Sequence, residues 1–414
     1  MTDSSHAPAD RVLESDARPT GTPVPDPKRW RALGVIAIAQ LMVILDASIV
    51  NLALPSAKAA LKISDTNQQW IITAYTLTFG GLLLLGGRIA DYVGRKRALI
   101  IGLIGFASAS ALGGLAPSQS FLFAARGLQG AFAALVAPAA LSLVTVTFHD
   151  PKERARAFGV YGAVSGGGAA IGQLLGGVLT EYLSWRWCLL VNAPIALAAV
   201  LMAIPWVHES KAEGDTRYDL AGAVTATLGL ISLVYAFTKA APKGLLDTAH
   251  WTEPTTLFWF VTSAILLTAF FVIENLVSNP LLPMRVILDR NRGASYLVSL
   301  ITGVGLFAMF LFLGLYLQVI QHYSPVKAGF AFLPFILGIT LGAGVAAQLL
   351  PRVGHNPLII PGLAAGSVGL LMLTRITPTS AYLPHVRPAM LITTPAIAFY
   401  CFTAPSTGLH CSGP

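Results

Sequence analysis

Long runs of apolar residues alternate along this chain with short polar turns. The runs cover roughly residues 32–54, 68–87, 98–115, 121–147, 157–180, 187–207, 220–240, 255–274, 293–320, 327–350 and 358–374, with a weaker twelfth within 383–403. Each approaches or exceeds the length that carries a helix across roughly 30 Å of hydrocarbon, about 20 residues. Within the second run, the eighteen residues 68–85 carry no charge at all. In lipid only helices and closed barrels satisfy every backbone group, and the runs are continuous where barrel strands would alternate. The pattern predicts an all-α, polytopic membrane bundle.

Composition supports this. Of 414 residues, 55% are hydrophobic and only 11% charged. The net charge of +8 could point to nucleic acid, but the basic residues sit in short loops between apolar runs, so no nucleic-acid partner is expected. One set of loops holds Arg88, Arg95, Lys96 and Arg97, then Lys152, Arg154 and Arg156, then Lys211 and Arg217, then Arg285, Arg290 and Arg292. Lys28, Arg29 and Arg31 precede the first run on the same side, while the opposite loops hold only Lys58, Lys62, Arg186 and Lys243. Positive charge marks the cytoplasmic face, so the N-terminus is expected inside. Residues 1–31 are polar, lack the apolar core of a signal peptide and read as a disordered cytoplasmic tail. Cys188, Cys401 and Cys411 form neither a CxxC pair nor a metal-ligand spacing, so no metal site is expected.

The chain also repeats itself. VGRKRALIIGL (93–103) resembles VGHNPLIIPGL (353–363), with Gly94 and Gly102 recurring as Gly354 and Gly362. Both stretches are turns entering a helix on the same side. This organises the chain into a tail (1–31), a six-helix half (32–207), a linker with two extra membrane helices (208–292) and an incomplete second half (293–414). Related halves around a midplane site are the plan of secondary transporters.

Three features carry candidate chemistry. The first is the turn GGRIADYVGRKR (86–97), where five of the ten residues from Arg88 to Arg97 are charged. A carboxylate among cations can make charge-assisted bonds across the gap between halves, bonds that hold one conformation and break in the other. Gly87, Arg88, Asp91, Gly94, Arg95 and Lys96 form this candidate gating turn, and Gly87 and Gly94 permit a tight turn or a close approach. Arg97 reads as a topology signal. The second feature is a pair of charges inside the membrane. Asp46 lies about 12 Å from the outer end of the first helix and Arg126 about 8–10 Å inside that of the fourth. The helices run in opposite directions, so the depths match and the two can pair, which lowers the cost of placing either in lipid. Neither is central, so a structural pair near the outer rim is the rival to a coupling role. Asn51 and Gln129 are candidate neutral partners. The third feature is the glycine-rich fifth helix, with Gly159, Gly168, Gly172, Gly176 and Gly177, which allows close packing and suggests a neighbour across the two halves.

The motifs resemble one family. G87-R-I-A-D-Y-V-G-R-K96 resembles the turn signature of the major facilitator superfamily. LDASIVNLALP (45–55), R126-G-L-Q-G130, the helix-five glycines and SWRWCLLVNAP (184–194) resemble, in order, signatures of its fourteen-helix drug:proton antiporters. The resemblance runs from about Pro27 to Ile392. It implies a two-half bundle with two extra central helices, about twelve of fourteen helices being present. It further implies proton-coupled export of lipophilic, mostly cationic, compounds across a bacterial plasma membrane. The expected partners are a small-molecule substrate, protons and the bilayer, with a monomeric protein and no cofactor beyond the proton gradient. It gives Asp46 and Arg126 the coupling role. Where the family has proline after the fifth-helix glycine, this chain has Gln173, which restores a backbone donor and leaves the bend open.

Other classes find no support. GxSxG and a Walker lysine motif are absent, GGGAAIG (166–172) follows no strand, and no filter or charge ring repeats. An enzyme is not expected. Past residue 393 the sequence TPAIAFYCFTAPSTGLHCSGP is interrupted by proline and matches no expected twelfth helix. The expectation is a truncation or altered reading frame near Thr393. The alternative function is then a membrane-inserted fragment that transports nothing or acts as a binding partner.

Overall fold

The computed structural model describes residues 26–211, 219–241, 250–277, 288–353, 356–378 and 380–394. Its long helices are α1 (Arg29–Leu61), α2 (Trp70–Val93), α3 (Arg95–Gly114), α4 (Gln119–Thr147), α5 (Pro151–Tyr182) and α6 (Trp187–Trp206). They continue with α7 (Leu220–Ala240), α8 (Pro254–Leu276), α9 (Arg290–Leu315), α10 (Leu333–Val353) and α11 (Asn356–Leu373). A π turn at Tyr316–Ile320 ends α9, a short helix at Pro325–Phe330 precedes α10, and a π turn at Tyr382–Val386 leads into helix 387–394. Nine helices among the described residues are long and apolar enough to cross a membrane. All regular structure among the described residues is helical, so the all-α membrane bundle stands. Residues 1–25, the repeat glycine Gly354, and the stretch 395–414 with Cys401 and Cys411 lie outside the described residues; Thr393, near which the break is expected, stands in helix 387–394.

Local chemistry sets the helix ends. Asp150 caps α5 by accepting from the amides of Lys152 and Glu153, with Pro151 at the first helical position. Asp219 caps α7 through Gly222 N, and Ser324 caps the short helix through Lys327 N. Between α2 and α3 the chain reverses at Gly94, whose φ of 115° is open to glycine but costly for other residues.

In the first half, α1 packs against α4, α5 and α6, while α4 packs on α2 and α3. Ile36, Met42, Leu99, Leu103, Phe106 and Val136 are fully buried where these helices meet. Outward faces stay apolar, with Leu197 and Ile204 exposed, as surface in contact with lipid must be. The α7–α8 hairpin docks on α2, where the Thr227 hydroxyl donates to Gly81 O at 2.7 Å.

The second half meets the first near the α5–α6 turn. There the short helix 325–330 lies against α5, and Leu52 of α1 joins a core with Met309, Phe310, Phe332 and Phe335.

Candidate functional site

Asp46 sits on α1 with no exposed surface, and Arg126 on α4 is 1% exposed. Arg126 Nη1 donates to Asp46 Oδ2 at 2.7 Å and to Gln129 Oε1 at 2.7 Å, while Nε donates to Ile71 O at 3.0 Å. Arg126 and Gln129 are three residues apart and therefore share a helix face. The guanidinium lies over the ring of Tyr75, 4.4 Å from its centre, which adds a cation–π contact. Gln129 Nε2 donates to Asp46 Oδ1 at 2.7 Å and also to the Ser110 hydroxyl on α3. Asn192 Nδ2, where α6 resumes after a short turn, donates to Asp46 Oδ1 at 2.7 Å and to Ser110 Oγ at 3.3 Å. The carboxylate thus collects three hydrogen bonds from two helices besides its own, which a buried ion pair needs to offset desolvation.

Helix α1 does not stop with its apolar run but continues to Leu61, so Asp46 is fifteen residues, about 22 Å, from that end. The pair is buried in the interior of the first half, with Arg126 seven residues, about 10 Å, from the start of α4. Gln129 joins it as expected. Asn51 is buried but takes no part in the network, and its Oδ1 has no partner among the described residues. Five residues beyond Asp46, it projects about 140° away round the helix. Ser110, Tyr75 and Asn192 carried no role in the sequence. A polar residue within an apolar run was the available signal, and Asn192 stands inside SWRWCLLVNAP.

The glycines of α5 divide between two neighbours. Gly168, Gly172 and Gly176 pack on α1, where added methyl groups would meet Leu41 and Ile44, Ser48, and Ile49. Gly177 matches the expectation of packing across the halves, since a methyl there would collide with the Pro325 carbonyl. Nearby, Gly329 fits against Gln173 O and Leu174, and Glu181 Oε2 accepts from Val326 N at 2.7 Å. Gly159 is half-buried nearer the start of α5. Helix α5 runs unbroken through Gln173, whose side chain is fully buried with both polar atoms unpartnered among the described residues.

The charged turn closes on its own half. Arg95 pairs with Asp91 at 2.9 Å, and Lys96 Nζ donates to Ile204 O at 2.7 Å near the end of α6. Glu209 accepts from the amides of Lys96 and Arg97 at 3.0 and 3.2 Å, capping α3 from the segment that follows α6. Its carboxyl occupies the space a side chain at Gly94 would need. The bonds expected across the gap are therefore not made among the described residues, because the end of α6 satisfies the turn. The close helix approach in this stretch belongs to Gly86, where an added methyl would collide with Ala134 O, while one at Gly87 would make only ordinary contact with Pro138, and Arg88 is half-buried.

Comparison with known proteins agrees with this architecture. The Major Facilitator Superfamily profile matches residues 36–411. The puromycin resistance protein pur8 of Streptomyces alboniger is 50% identical over 371 residues, covering 89% of this chain and 72% of that protein. The uncharacterized MFS-type transporter EfpA of Mycobacterium tuberculosis is 37% identical, over 81% of this chain and 62% of its own length. The cephamycin export protein CmcT of Amycolatopsis lactamdurans is 37% identical, over 87% and 74%. Among solved structures, a partially occluded inward-open form of the E. coli xylose transporter XylE aligns over 92% of this chain and 87% of its own, with a TM-score of 0.57 at 12% identity. The last likeness concerns the fold alone; profile and relatives together establish that the chain belongs to the Major Facilitator Superfamily, a family of membrane transporters and not of enzymes.

Proposed function

We propose that this chain is a proton-coupled exporter of lipophilic, cationic small molecules, of the fourteen-helix drug:proton antiporter type. It acts in the plasma membrane of a bacterium with its N-terminus in the cytoplasm. The observation that carries this is the Asp46–Arg126 pair, a carboxylate and a guanidinium placed at 2.7 Å in a fully buried site of an apolar bundle. Ionisable groups at such depth are costly and mark ion or substrate pathways. A proton and an organic cation would compete for the one carboxylate. Protonation leaves Arg126 as an unpaired positive charge that repels a cationic substrate, and loss of the proton restores the attraction. The names of pur8 and CmcT concern resistance and export, which supports the direction of transport.

The contact of α5 with 325–330 would then be the outer closure, and the turn at 86–97 the cytoplasmic one. The test is proton release. The purified chain in lipid nanodiscs, in weakly buffered solution, should release protons on binding tetraphenylphosphonium, and Asp46→Asn should bind without release. Binding by the wild type with no release would remove proton coupling. Failure to bind any lipophilic cation, with binding of an anionic compound instead, would remove the substrate class.

A further inference from the structure

A carboxylate that cycles between charged and neutral forms needs different neighbours in each. Ionised, it only accepts hydrogen bonds; protonated, it must also donate one or bury an unsatisfied hydroxyl. Three groups bond Asp46: Arg126 on Oδ2, and Gln129 and Asn192 on Oδ1. Arginine has no acceptor. The Gln129 carbonyl is already held by Arg126 Nη1 at 2.7 Å, so turning that amide would break the bond. Asn192 differs. Its Nδ2 faces Asp46, while its Oδ1, fully buried, has no partner among the described residues. Ser110 lies beside both amides and bonds Asn192 at 3.3 Å, so it can bond either end of a turned amide.

We infer that Asn192 is a two-way positioning residue for Asp46, donating through Nδ2 to the ionised carboxylate and, turned over, accepting through Oδ1 from the protonated one. This rests on Asp46 being the proton site. In the step, a proton from water bonds to Oδ1, the new O–H donates to the Asn192 carbonyl, and the pair's net charge rises by one. Each orientation leaves one end of the amide without a partner, so the penalty is similar in both and the turn favours neither state by itself. The charged and titratable groups facing Asp46 are Arg126 from α4, Tyr75 from α2 and Cys188 from the first turn of α6. α3 brings the Ser110 hydroxyl, and α5 brings glycines against the neighbouring turn of α1.

Infrared difference spectra between low and high pH test this on the whole chain in nanodiscs, with the asparagine side-chain carbonyl isotopically labelled. The wild type should show a protonated-carboxyl band that vanishes in Asp46→Asn, together with an asparagine carbonyl band that vanishes in both Asp46→Asn and Asn192→Leu. In Asn192→Leu the carboxyl band should also move to higher frequency, since the carboxyl O–H loses its acceptor. Asn192→Thr, which can donate and accept, should stay closer to the wild type. A wild type without an Asp46 band would defeat the proton-coupling proposal itself. An Asp46 band with no asparagine signal, unaltered in Asn192→Leu, would defeat only the role of Asn192. Absence of any asparagine carbonyl signal in the labelled wild type would defeat the role of Asn192 even if neither variant folds.

Discussion

Where α5 turns into α6, the two halves touch through backbone: Gly177 against Pro325, Gly329 against Gln173, and one carboxylate, Glu181, on the Val326 amide. Where α2 turns into α3, the polar groups of the turn are satisfied by residues 204–210, at the end of α6 and the start of the linker. The first contact works by shape, which is short-ranged and disappears once the surfaces part by an ångström or so. The second works by charge near the aqueous surface, which salt weakens and water can replace. One end is thus fastened across the halves, while the other is ordered but free of the second half among the described residues. The Asp46 network lies entirely within the first half, touching neither. A site of this kind can change charge while one end stays closed, and it influences the ends through the helices that carry it, α1, α2, α3, α4 and α6.

The network gives the most forceful test of this comparison. Asp46→Asn leaves the Arg126 cation buried with neutral acceptors alone, the new amide oxygen, Gln129 and Ile71 O, and with the Tyr75 ring. Removing one partner of a buried pair costs about 3–5 kcal/mol. The chain should still insert, because α1 keeps its apolar surface, but pH-dependent efflux should fall to background. Arg126→Lys should impair it too, since an ammonium cannot serve Asp46, Gln129 and Ile71 O in one plane. Chain abundance in membranes and efflux across a range of pH are the measurements. Efflux by Asp46→Asn that keeps the wild-type pH dependence would make the pair structural.

The next test breaks the contact that works by shape. Gly177→Leu puts a side chain where the Pro325 carbonyl lies, and overpacking of this sort costs about 1–3 kcal/mol. The halves should separate at the α5–α6 end, shifting the conformational equilibrium by roughly one to two powers of ten. Spin labels replacing Glu181 and Lys327 should report a longer distance in the variant than in the labelled parent. An unchanged distance would mean that the glycine contact does not hold the end closed.

Helix number and the charged pair were legible because lipid imposes simple rules: a run of about 20 apolar residues must be a helix, and a charge within it must find a partner. The length of α1 was not legible. The apolar run of α1 ends near Leu54 but the helix continues to Leu61, since Pro55, Ser56 and Lys58 are tolerated once the helix has left the core. Asn192 and Ser110 were hidden for a different reason. Small polar residues occur in many membrane helices, and only the fold brings α3 and α6 to the same carboxylate. The partners of the turn were hidden likewise. Glu209 is 112 residues beyond Arg97 and reaches it only because α6 returns beside α3.

The smallest effect sharpens the comparison from the other end. Glu209 is about a third exposed, with 31% of its side-chain surface open, and its carboxylate sits at the N-terminus of α3. Glu209→Gln keeps an acceptor oxygen for one of the amides of Lys96 and Arg97 but removes the charge that complements the helix end. That charge is worth about 0.3–1 kcal/mol at low salt and less once screened. Thermal unfolding in nanodiscs should show the variant slightly less stable at low ionic strength, with the difference shrinking as salt rises. The loss in Gly177→Leu comes from steric overlap and should be insensitive to salt over the same range. If the two variants respond to salt alike, the division between an end held by shape and an end held by charge does not describe this protein.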